Sequence, residues 1–418
     1  MAFSTRFISL KGLSLSLKNK AKRPRIQYMK SVTYLDYAAT TPLDPGVFRA
    51  MTPYFKKNFG NPSAIHGPGQ EALAAVENSR WIVASFLEAD VQEIFFTGSA
   101  TEADNLAILG VVKAAKAQKP HIITSKIEHH AILEPCAELE KQGVEVTYLP
   151  VDKDGIVSAT DVEKAIKPNT VLVSIMYANN EIGTIQPLAQ ISQVIKKNNP
   201  KIIFHTDAVQ AVNYLDCDVK KLGVDLLTLS GHKIYGPKGV GALYIKKGTL
   251  ISPLVLGGGQ ERGLRSGTEN VAGIVGLATA IKLIQDTKTK IQNIRMRQLR
   301  DRIIKTVMKV IPDVQLNGSK TLRLPNNANF SFGGVEGEAI VIALDQKGIA
   351  ASTASACSSK SLEPSHVLMA LGMPEELAHG SLRITLGRFT TPKEADKFLR
   401  ILPQVIQRLR KISGYSKQ

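Results

Sequence analysis

A lysine follows directly after an apolar, strand-like segment, Asp225 to Leu229. It lies in the glycine-rich stretch SGHKIYGPKG (230–239), between Ser230 and His232 on one side and two glycines on the other. Desolvation and nearby positive charge lower the pKa of an amine enough for it to attack a carbonyl, whereas a solvated lysine stays protonated. A lone lysine is usually a surface residue, but these neighbours favour Lys233 as a residue that forms a Schiff base.

A second candidate segment could bind an anion. Ser99 and Glu102 have the spacing of a capping box, directly after the predicted strand Glu93 to Thr97. The free amides and the dipole of a helix N-terminus suit phosphate, and here the donors would be the backbone of Ala100 and Thr101 and the Thr101 hydroxyl. Most capping boxes only begin a helix, so this feature alone leaves both interpretations open.

A third candidate is Asp207, which ends the apolar segment Lys201 to Thr206. Open α/β sheets place ligands at the carboxyl ends of their strands. If a pyridine ring bound there, Asp207 would keep the ring nitrogen protonated, so that the ring could accept electrons from a carbanion. A helix cap for the following segment is an equally good interpretation of this residue alone.

The elements that must position these residues alternate between helix and strand from about residue 70 to 290, which is typical of parallel α/β structure. Seven short apolar strands predict one large sheet covered on both faces. They are Glu93 to Thr97, His121 to Thr124, Glu145 to Leu149, Thr170 to Tyr177, Ile202 to Thr206, Asp225 to Leu229 and Gly241 to Ile245.

A change of pattern near residue 290 predicts a second, smaller domain. A long basic amphipathic helix is followed by short strands around Asn329 to Phe332 and Arg383 to Leu386, and by a final helix from Lys393. We therefore predict a large domain over 45–288 and a small α+β domain built from 31–44 and 289–418. Residues 1–30 are predicted to be a basic leader.

Composition limits the function classes. The 418 residues carry a formal net charge of +17, but eight positive charges lie in the first thirty residues, so the excess does not require a nucleic-acid partner. No apolar run reaches the roughly 18 residues of a membrane span. Cys136, Cys217 and Cys357 lack the spacing of a zinc site or disulfide framework, which favours a reducing compartment.

The leader leaves the compartment open. It has no acidic residue and spaces apolar residues at helical intervals, like an organelle presequence. Met29 immediately precedes the first strand-like segment, so residues 1–28 could equally be a translated leader or a misjudged start. The cytoplasm is the expected location, with the mitochondrial matrix as the alternative.

Ten motifs together resemble the cysteine desulfurases of the pyridoxal-phosphate class V aminotransferase family, specifically the group that serves iron-sulfur cluster assembly. The resemblance covers about residues 33 to 412. The motifs are YLDYAATTP (34–42), GNPSAIH (60–66), ATEADNLA (100–107), EHHA (128–131), NNEIG (179–183), HTDAVQ (205–210), SGHKIYGPKGVGALY (230–244), GGGQERGLRSGTEN (257–270), SACSSKSLEPS (355–365) and LRITLGRFT (382–390).

The resemblance implies pyridoxal phosphate as the cofactor, in the fold type I arrangement of a large, mainly parallel sheet domain and a smaller α+β domain. Lys233 would be the Schiff-base lysine, Asp207 would pair with the pyridine nitrogen, and His129 would stack on the ring and assist proton transfer. Arg383 would bind the substrate carboxylate with help from Asn180, because a planar guanidinium matches a carboxylate. The remaining implied cofactor contacts are Ala100, Thr101, Ser230 and His232 around the phosphate, and Gln210 and Asn180 beside the phenolic oxygen.

The same resemblance makes Cys357 the nucleophile, which takes sulfur from L-cysteine as a persulfide and leaves L-alanine. Its surroundings, 350–361, consist mostly of Ala, Ser and Thr and favour a mobile loop. Cys136 and Cys217 would be ordinary buried or half-buried cysteines. Thr268 would reach the phosphate of a partner subunit, which implies a homodimer.

Sulfur-acceptor proteins, such as an iron-sulfur scaffold, are the implied partners, with no nucleic-acid substrate and no membrane. Two positions depart from the family pattern: residues 98–99 read Gly-Ser where Ser-Gly is common, and Ala354 stands where glycine is usual. The first departure is expected to rearrange one phosphate contact and the second to stiffen the Cys357 loop. Neither removes a functional group, so we expect the chemistry to survive. The chain also ends soon after Ser413, without the longer tail that many relatives use to dock a scaffold.

Alternative functions on the same fold are a selenocysteine lyase and an aminotransferase, because a fold and its cofactor do not determine the reaction. The SACSSKSLEPS loop argues against an aminotransferase. A basic binding protein built on a retired enzyme fold is a third alternative, and the joint presence of Lys233, Asp207, His129 and Arg383 argues against it.

Overall fold

A computed structural model of the chain describes residues 32–353 and 363–415. The helices are α1 (Pro45–Met51), α2 (Pro53–Lys56), α3 (Gly67–Leu87), α4 (Ala100–Ala114), α5 (His130–Lys141), α6 (Ala159–Ala165), α7 (Leu188–Asn198), α8 (Val219–Leu222), α9 (Val271–Gln285), α10 (Thr287–Val310), α11 (Gly337–Asp345), α12 (His366–Ala370), α13 (Glu375–His379) and α14 (Pro392–Ser413). The strands are β1 (Thr33–Tyr34), β2 (Ile94–Thr97), β3 (His121–Ser125), β4 (Glu145–Leu149), β5 (Thr170–Ser174), β6 (Ile203–Asp207), β7 (Leu226–Ser230), β8 (Gly241–Ile245), β9 (Val314–Leu316), β10 (Asn327–Phe332), β11 (Ile349–Ala350) and β12 (Ser381–Thr385).

The large sheet has seven strands in the order β2-β8-β7-β6-β5-β3-β4. Within the run β7-β6-β5-β3-β4, each strand is parallel to its neighbours. Strand β8 is antiparallel to both β2 and β7. The predicted mainly parallel seven-stranded sheet is therefore confirmed. Because β6 and β7 are adjacent, Asp207 and the turn that follows Ser230 lie at the same edge of the sheet.

One predicted strand is too long. The segment predicted over Thr170 to Tyr177 ends as a strand at Ser174. Beyond it, the Met176 N–H donates to the buried carboxylate of Glu128 at 3.0 Å instead of to a neighbouring strand. The Glu128 side chain takes the place of a backbone acceptor at Met176, and the alternation of apolar residues along the sequence does not reveal such a replacement.

Both faces of the sheet are covered, as predicted. Ile123, Val173 and Leu227 belong to a core shared with helices α1, α3, α7, α8 and α9. The neighbouring residues Ile122 and Leu172, with Leu226 and Leu243, belong to a second core shared with α4 and α5. Successive strand residues point to opposite faces, so strands buried on both sides are apolar throughout.

A separate core forms around the three-stranded antiparallel sheet β12-β10-β9, which packs against α10, α11 and α14. Leu35, from the beginning of the described chain, belongs to this core, and β1 pairs with β11. The exact boundaries of the predicted small domain stay a prediction. Among the described residues, no helix is long and apolar enough to cross a membrane.

Candidate active site

A cavity of about 360 Å³ opens at the carboxyl edge of the large sheet, between that sheet and the segment that precedes α1. Its lining comes from several distant parts of the chain. The lining residues are Ala38, Ala39, Ser99, Ala100, Thr101, Asp104, His129, Ala131, Met176, Ala178, Asn180, Asp207, Val209, Gln210, Ser230, His232, Lys233 and Arg383.

Lys233 ends a short 3-10 turn, Gly231–Lys233, directly after β7. Its Nζ donates to the carbonyl oxygens of Ala38 at 2.6 Å and Ala39 at 2.8 Å. The segment that supplies these carbonyls is fixed in turn, because the N–H and hydroxyl of Thr41 both donate to the His232 carbonyl at 2.9 Å. Ala38 and Ala39 were not predicted as site residues, although they lie within the YLDYAATTP motif.

The N-terminus of α4 forms another wall of the cavity. The Ser99 hydroxyl accepts the Glu102 N–H at 3.1 Å, as predicted. The other half of the predicted capping box is wrong, because the Glu102 carboxylate accepts the Gly98 N–H at 2.9 Å and the Arg265 Nε–H at 2.7 Å instead. Since the first amides of a helix have no partner within it, those of Ala100 and Thr101 remain to bind an anion.

Gly241 explains how α4 can begin so close to the sheet. A side chain at this position of β8 would place a Cβ atom 2.7 Å from the carbonyl carbon of Ser99 and 2.9 Å from the amide of Ala100. Both distances are far below van der Waals contact. The glycine in the GVGALY part of the motif is thus required for the helix N-terminus to reach the cavity.

Asp207, the last residue of β6, lines the cavity, and its Oδ1 accepts the Val209 N–H at 2.8 Å. It therefore caps a turn as well, so the two interpretations from sequence are compatible. Asp104, on α4, is a second buried acid that the sequence argument did not single out. Its Oδ1 has no hydrogen-bond partner and lies 3.6 Å from Nε2 of the buried His205.

Burial raises the pKa of both acids, that of Asp104 well above its usual range. The positive charge of Lys233 opposes this rise at Asp207, whereas the Asp207 charge adds to it at Asp104. We therefore assign the proton to Asp104 and the negative charge to Asp207, the acid that could pair with a cationic ring. The available sequence signal was an acid, Asp104, one turn inside the mostly apolar helix α4.

His129 caps the N-terminus of α5, where its Nδ1 accepts the Ala131 N–H at 3.1 Å. This bond places the proton of the neutral ring on Nε2. Burial, followed by the charge of Lys233, lowers the pKa of His129 to about 4. The ring is consequently neutral near neutral pH and presents an Nε2–H donor.

Arg383 lies in the middle of β12 and is 3% exposed. Its Nη1 donates to the Asn180 carbonyl at 3.1 Å, and its Nη2 donates to Oδ1 of Asp36 at 2.9 Å. Its Nε is buried without a hydrogen-bond partner. A buried guanidinium with an unsatisfied donor beside a cavity is suited to an anionic ligand.

The remaining predicted polar contacts also line the cavity. Gln210 donates through Nε2 to the Ala38 carbonyl at 3.1 Å, and Nδ1 of His232 lies 3.1 Å from the Thr40 hydroxyl. Burial lowers the pKa of His232 to about 4, so this ring is neutral too. Ser230 ends β7 beside them.

Two predicted residues are not part of the cavity as described. Thr268 is exposed and does not line it. Cys357 lies outside the described residues, as do Ala354 and the surrounding loop.

Cys136 and Cys217 are buried, as predicted, and burial raises the pKa of both thiols, that of Cys136 to about 12. Neither is suited to act as a thiolate nucleophile.

Comparisons with known proteins agree with this arrangement. A family model described as aminotransferase class-V matches residues 33–398. A cysteine desulfurase IscS from Dictyoglomus turgidum is 54% identical over 391 residues, which span 93% of this chain and 98% of the relative.

Two solved structures share the fold. One, described as a NifS-like protein, superposes with a TM-score of 0.85 at 38% identity and covers 91% of this chain and all of that one. The other, described as SspA in complex with cysteine, has a TM-score of 0.76 at 39% identity and covers 86% of this chain and 99% of that one.

Proposed function

The chain belongs to the aminotransferase class-V family, and we propose that it is a pyridoxal-phosphate-dependent cysteine desulfurase that converts L-cysteine to L-alanine and passes the sulfur on. The high identity to a cysteine desulfurase IscS over nearly the whole chain supports this reaction rather than an aminotransfer. The single structural observation that carries the proposal is the placement of Lys233, Asp207 and Arg383 around one cavity.

The residues of the cavity fit pyridoxal phosphate. A phosphate needs N–H donors, and the start of α4 provides them at one wall. A pyridinium nitrogen needs a carboxylate, and Asp207 is the acid to which we assign the charge. An aldehyde needs an amine, and Lys233 lines the same cavity. Ser230, His232 and Gln210 supply further polar contacts.

When bound, pyridoxal phosphate supplies an electron sink that allows the Cα proton of an amino acid to leave. Lys233 would attach the cofactor through Nζ and, once the substrate amine has replaced it, would take that proton. The carbonyls of Ala38 and Ala39 keep Nζ inside the cavity. His129, which is neutral with its proton on Nε2 and lines the same cavity, would act as a proton donor.

The substrate is held by its carboxylate. Arg383 lines the cavity and has a buried Nε without a hydrogen-bond partner, and the backbone carbonyl of Asn180 accepts from its Nη1. A bidentate guanidinium contact fixes the orientation of an α-carboxylate and hence of the side-chain sulfur. Asn180 also lines the cavity.

Cys357, outside the described residues, is proposed as the sulfur acceptor. Its thiolate would attack the sulfur of cysteine, so that an S–S bond forms while the Cβ–S bond breaks, and protonation of the carbon product gives alanine. The buried Cys136 and Cys217 have raised thiol pKa values, which supports Cys357 as the nucleophile. The persulfide would then supply iron-sulfur cluster assembly and other acceptors.

We also propose that the enzyme is a homodimer. Large apolar side chains are exposed along one short stretch: Phe48 by 57%, Phe55 by 64%, Phe59 by 76% and Ile65 by 95%. Such a concentration of exposed apolar surface is typical of an interface. Thr268, which is exposed and does not line the cavity of its own chain, would then contact the phosphate in the partner.

The proposal is tested with the cofactor-loaded protein and L-cysteine, by measuring alanine and sulfide with and without a reductant. We expect equal amounts of alanine and sulfide in the presence of a thiol reductant. Without it, we expect alanine formation to slow sharply after about one equivalent per site, since only the thiol of the substrate remains to remove sulfur from the persulfide. Continuous formation of pyruvate or of a keto acid without sulfide would contradict it.

A further inference from the structure

We propose that Asp36 competes with the substrate carboxylate for Arg383 and thereby limits how tightly both cysteine and alanine bind. This inference rests on the proposed function, which gives Arg383 the carboxylate of the amino acid. Asp36 was not among the predicted site residues and does not line the cavity itself.

The contact between the two side chains is direct. Oδ1 of Asp36 lies 2.9 Å from Nη2 of Arg383, and the two side chains are 19% and 4% exposed. With Nη1 on the Asn180 carbonyl and Nη2 on Asp36, only Nε is buried without a partner. The edge of the guanidinium formed by Nε and Nη2 is thus already half occupied by a carboxylate of the protein.

Asp36 is also held in place through its backbone. The segment bridges to Thr385, whose N–H donates to the Leu35 carbonyl at 2.8 Å, while the Leu35 N–H donates to the Ala350 carbonyl at 2.8 Å. On the other side, the Ala38 N–H donates to the Thr385 hydroxyl at 2.9 Å. The negative charge therefore stays close to Arg383 whether or not a ligand is bound.

These facts give Asp36 two opposed effects. In the ligand-free protein it neutralises a buried cation, which would otherwise be costly to keep from water. When an α-carboxylate binds to Arg383, the same charge repels it and shares its donors. Affinity for substrate and product carboxylates is consequently lower than a lone buried arginine would give, which favours release of alanine.

The chain provides a matched control. Asp44, eight residues further along the same segment, forms an ion pair with Arg388. Arg388 stacks over the Tyr235 ring at 3.9 Å and does not line the cavity. Replacing Asp44 removes an equivalent acid without touching the residue that is proposed to bind the carboxylate.

The experiment compares L-alanine with ethylamine, which is the same amine without its carboxylate. Dissociation constants are measured for the cofactor-loaded protein from the change in its visible absorbance. We expect Asp36→Asn to bind L-alanine at least about tenfold more tightly than the wild type, because asparagine can still accept from Nη2 but carries no charge. Its affinity for ethylamine should not change, and Asp44→Asn should change neither.

Asp36→Glu keeps the charge and should retain the wild-type ratio of the two affinities. Asp36→Ser provides the same charge removal should Asp36→Asn fail to fold, which a thermal melt of each variant reveals. Unchanged or weaker L-alanine binding in the folded, charge-free variant would overturn the inference, as would an equal change for both amines.

Arg383→Gln separates this inference from the proposed function. If Arg383→Gln leaves L-alanine affinity intact, the carboxylate site assigned in the proposed function is wrong, and the inference about Asp36 falls with it. If Arg383→Gln weakens L-alanine but not ethylamine while Asp36→Asn has no effect, the proposed function stands and only the competition by Asp36 is wrong.

Discussion

Nζ of Lys233 lies 2.6 Å from the carbonyl oxygen of Ala38, although the two residues are separated by 195 positions in the chain. The large sheet thus positions the reactive amine, and the segment that precedes α1 contacts it. This contact keeps the amine in the cavity, whereas the amine of a surface lysine would extend into water.

Lys233→Ala should abolish turnover of L-cysteine, because no other amine among the described residues lines the cavity. It should also remove the visible absorbance that a cofactor linked to a lysine gives the purified protein. Both are measured on the same preparation. Lys238→Ala, an exposed lysine of the same turn, is the control and should keep both signals; full activity in Lys233→Ala would show that the reactive amine lies elsewhere.

Arg383→Ala should raise the KM for L-cysteine by roughly 30- to 150-fold, the effect of losing a charge-assisted contact of about 2 to 3 kcal/mol. Cofactor content should change much less, because Arg383 is assigned to the substrate carboxylate and is not among the residues proposed to hold the cofactor. Steady-state kinetics and the cofactor-to-protein ratio measure the two effects. An unchanged KM would place the carboxylate site elsewhere.

Asp104 and Asp207 should differ sharply in their response to the same substitution. Asp104→Asn replaces an acid that we assign as protonated, so kcat should stay within about threefold of the wild type. Asp207→Asn removes the charge opposite the ring nitrogen and should lower kcat by about a hundredfold or more. Equal losses in the two variants would contradict the assignment of the proton to Asp104.

Glu128 should make the protein less stable as the pH rises. Burial raises its pKa from 4.5 to about 8. Between those values the folded state holds a proton that the unfolded state has lost, so stability falls across this range. Glu128→Gln should therefore lose less stability than the wild type between about pH 5 and pH 8, by an amount of order 1 to 4 kcal/mol.

Thermal midpoints across this pH range measure the effect. Glu134→Gln, at an exposed position of the following helix α5, is the control and should follow the wild type. Parallel curves for Glu128→Gln and the wild type would mean that Glu128 is already ionised in the folded protein.

The sequence predicted the parts of the site that depend on local order along the chain. Lys233 and Asp207 each follow an apolar strand, and the sheet necessarily brings the ends of adjacent parallel strands together. Motif resemblance supplied the roles of His129 and Arg383, and both side chains line the cavity.

What the sequence could not predict are contacts between distant segments. The Asp36–Arg383 pair joins residues 347 positions apart, and the Ala38 and Ala39 carbonyls act through backbone atoms that every residue possesses. The failed half of the capping box has the same origin, because Arg265 competes for Glu102 from 163 positions away. Local spacing predicts local partners, and long-range partners displace them.

The most direct test of the account is to locate the persulfide after a single turnover with L-cysteine, by alkylation and peptide mass measurement. A hydroxyl is hardly ionised near neutral pH, so Cys357→Ser should bind cofactor and cysteine normally yet form no persulfide. Cys136→Ser and Cys217→Ser are the controls. The account predicts one additional sulfur on Cys357 in the wild type and in both controls, and none in Cys357→Ser; an additional sulfur on Cys136 or Cys217, or undiminished sulfur transfer by Cys357→Ser, would contradict it.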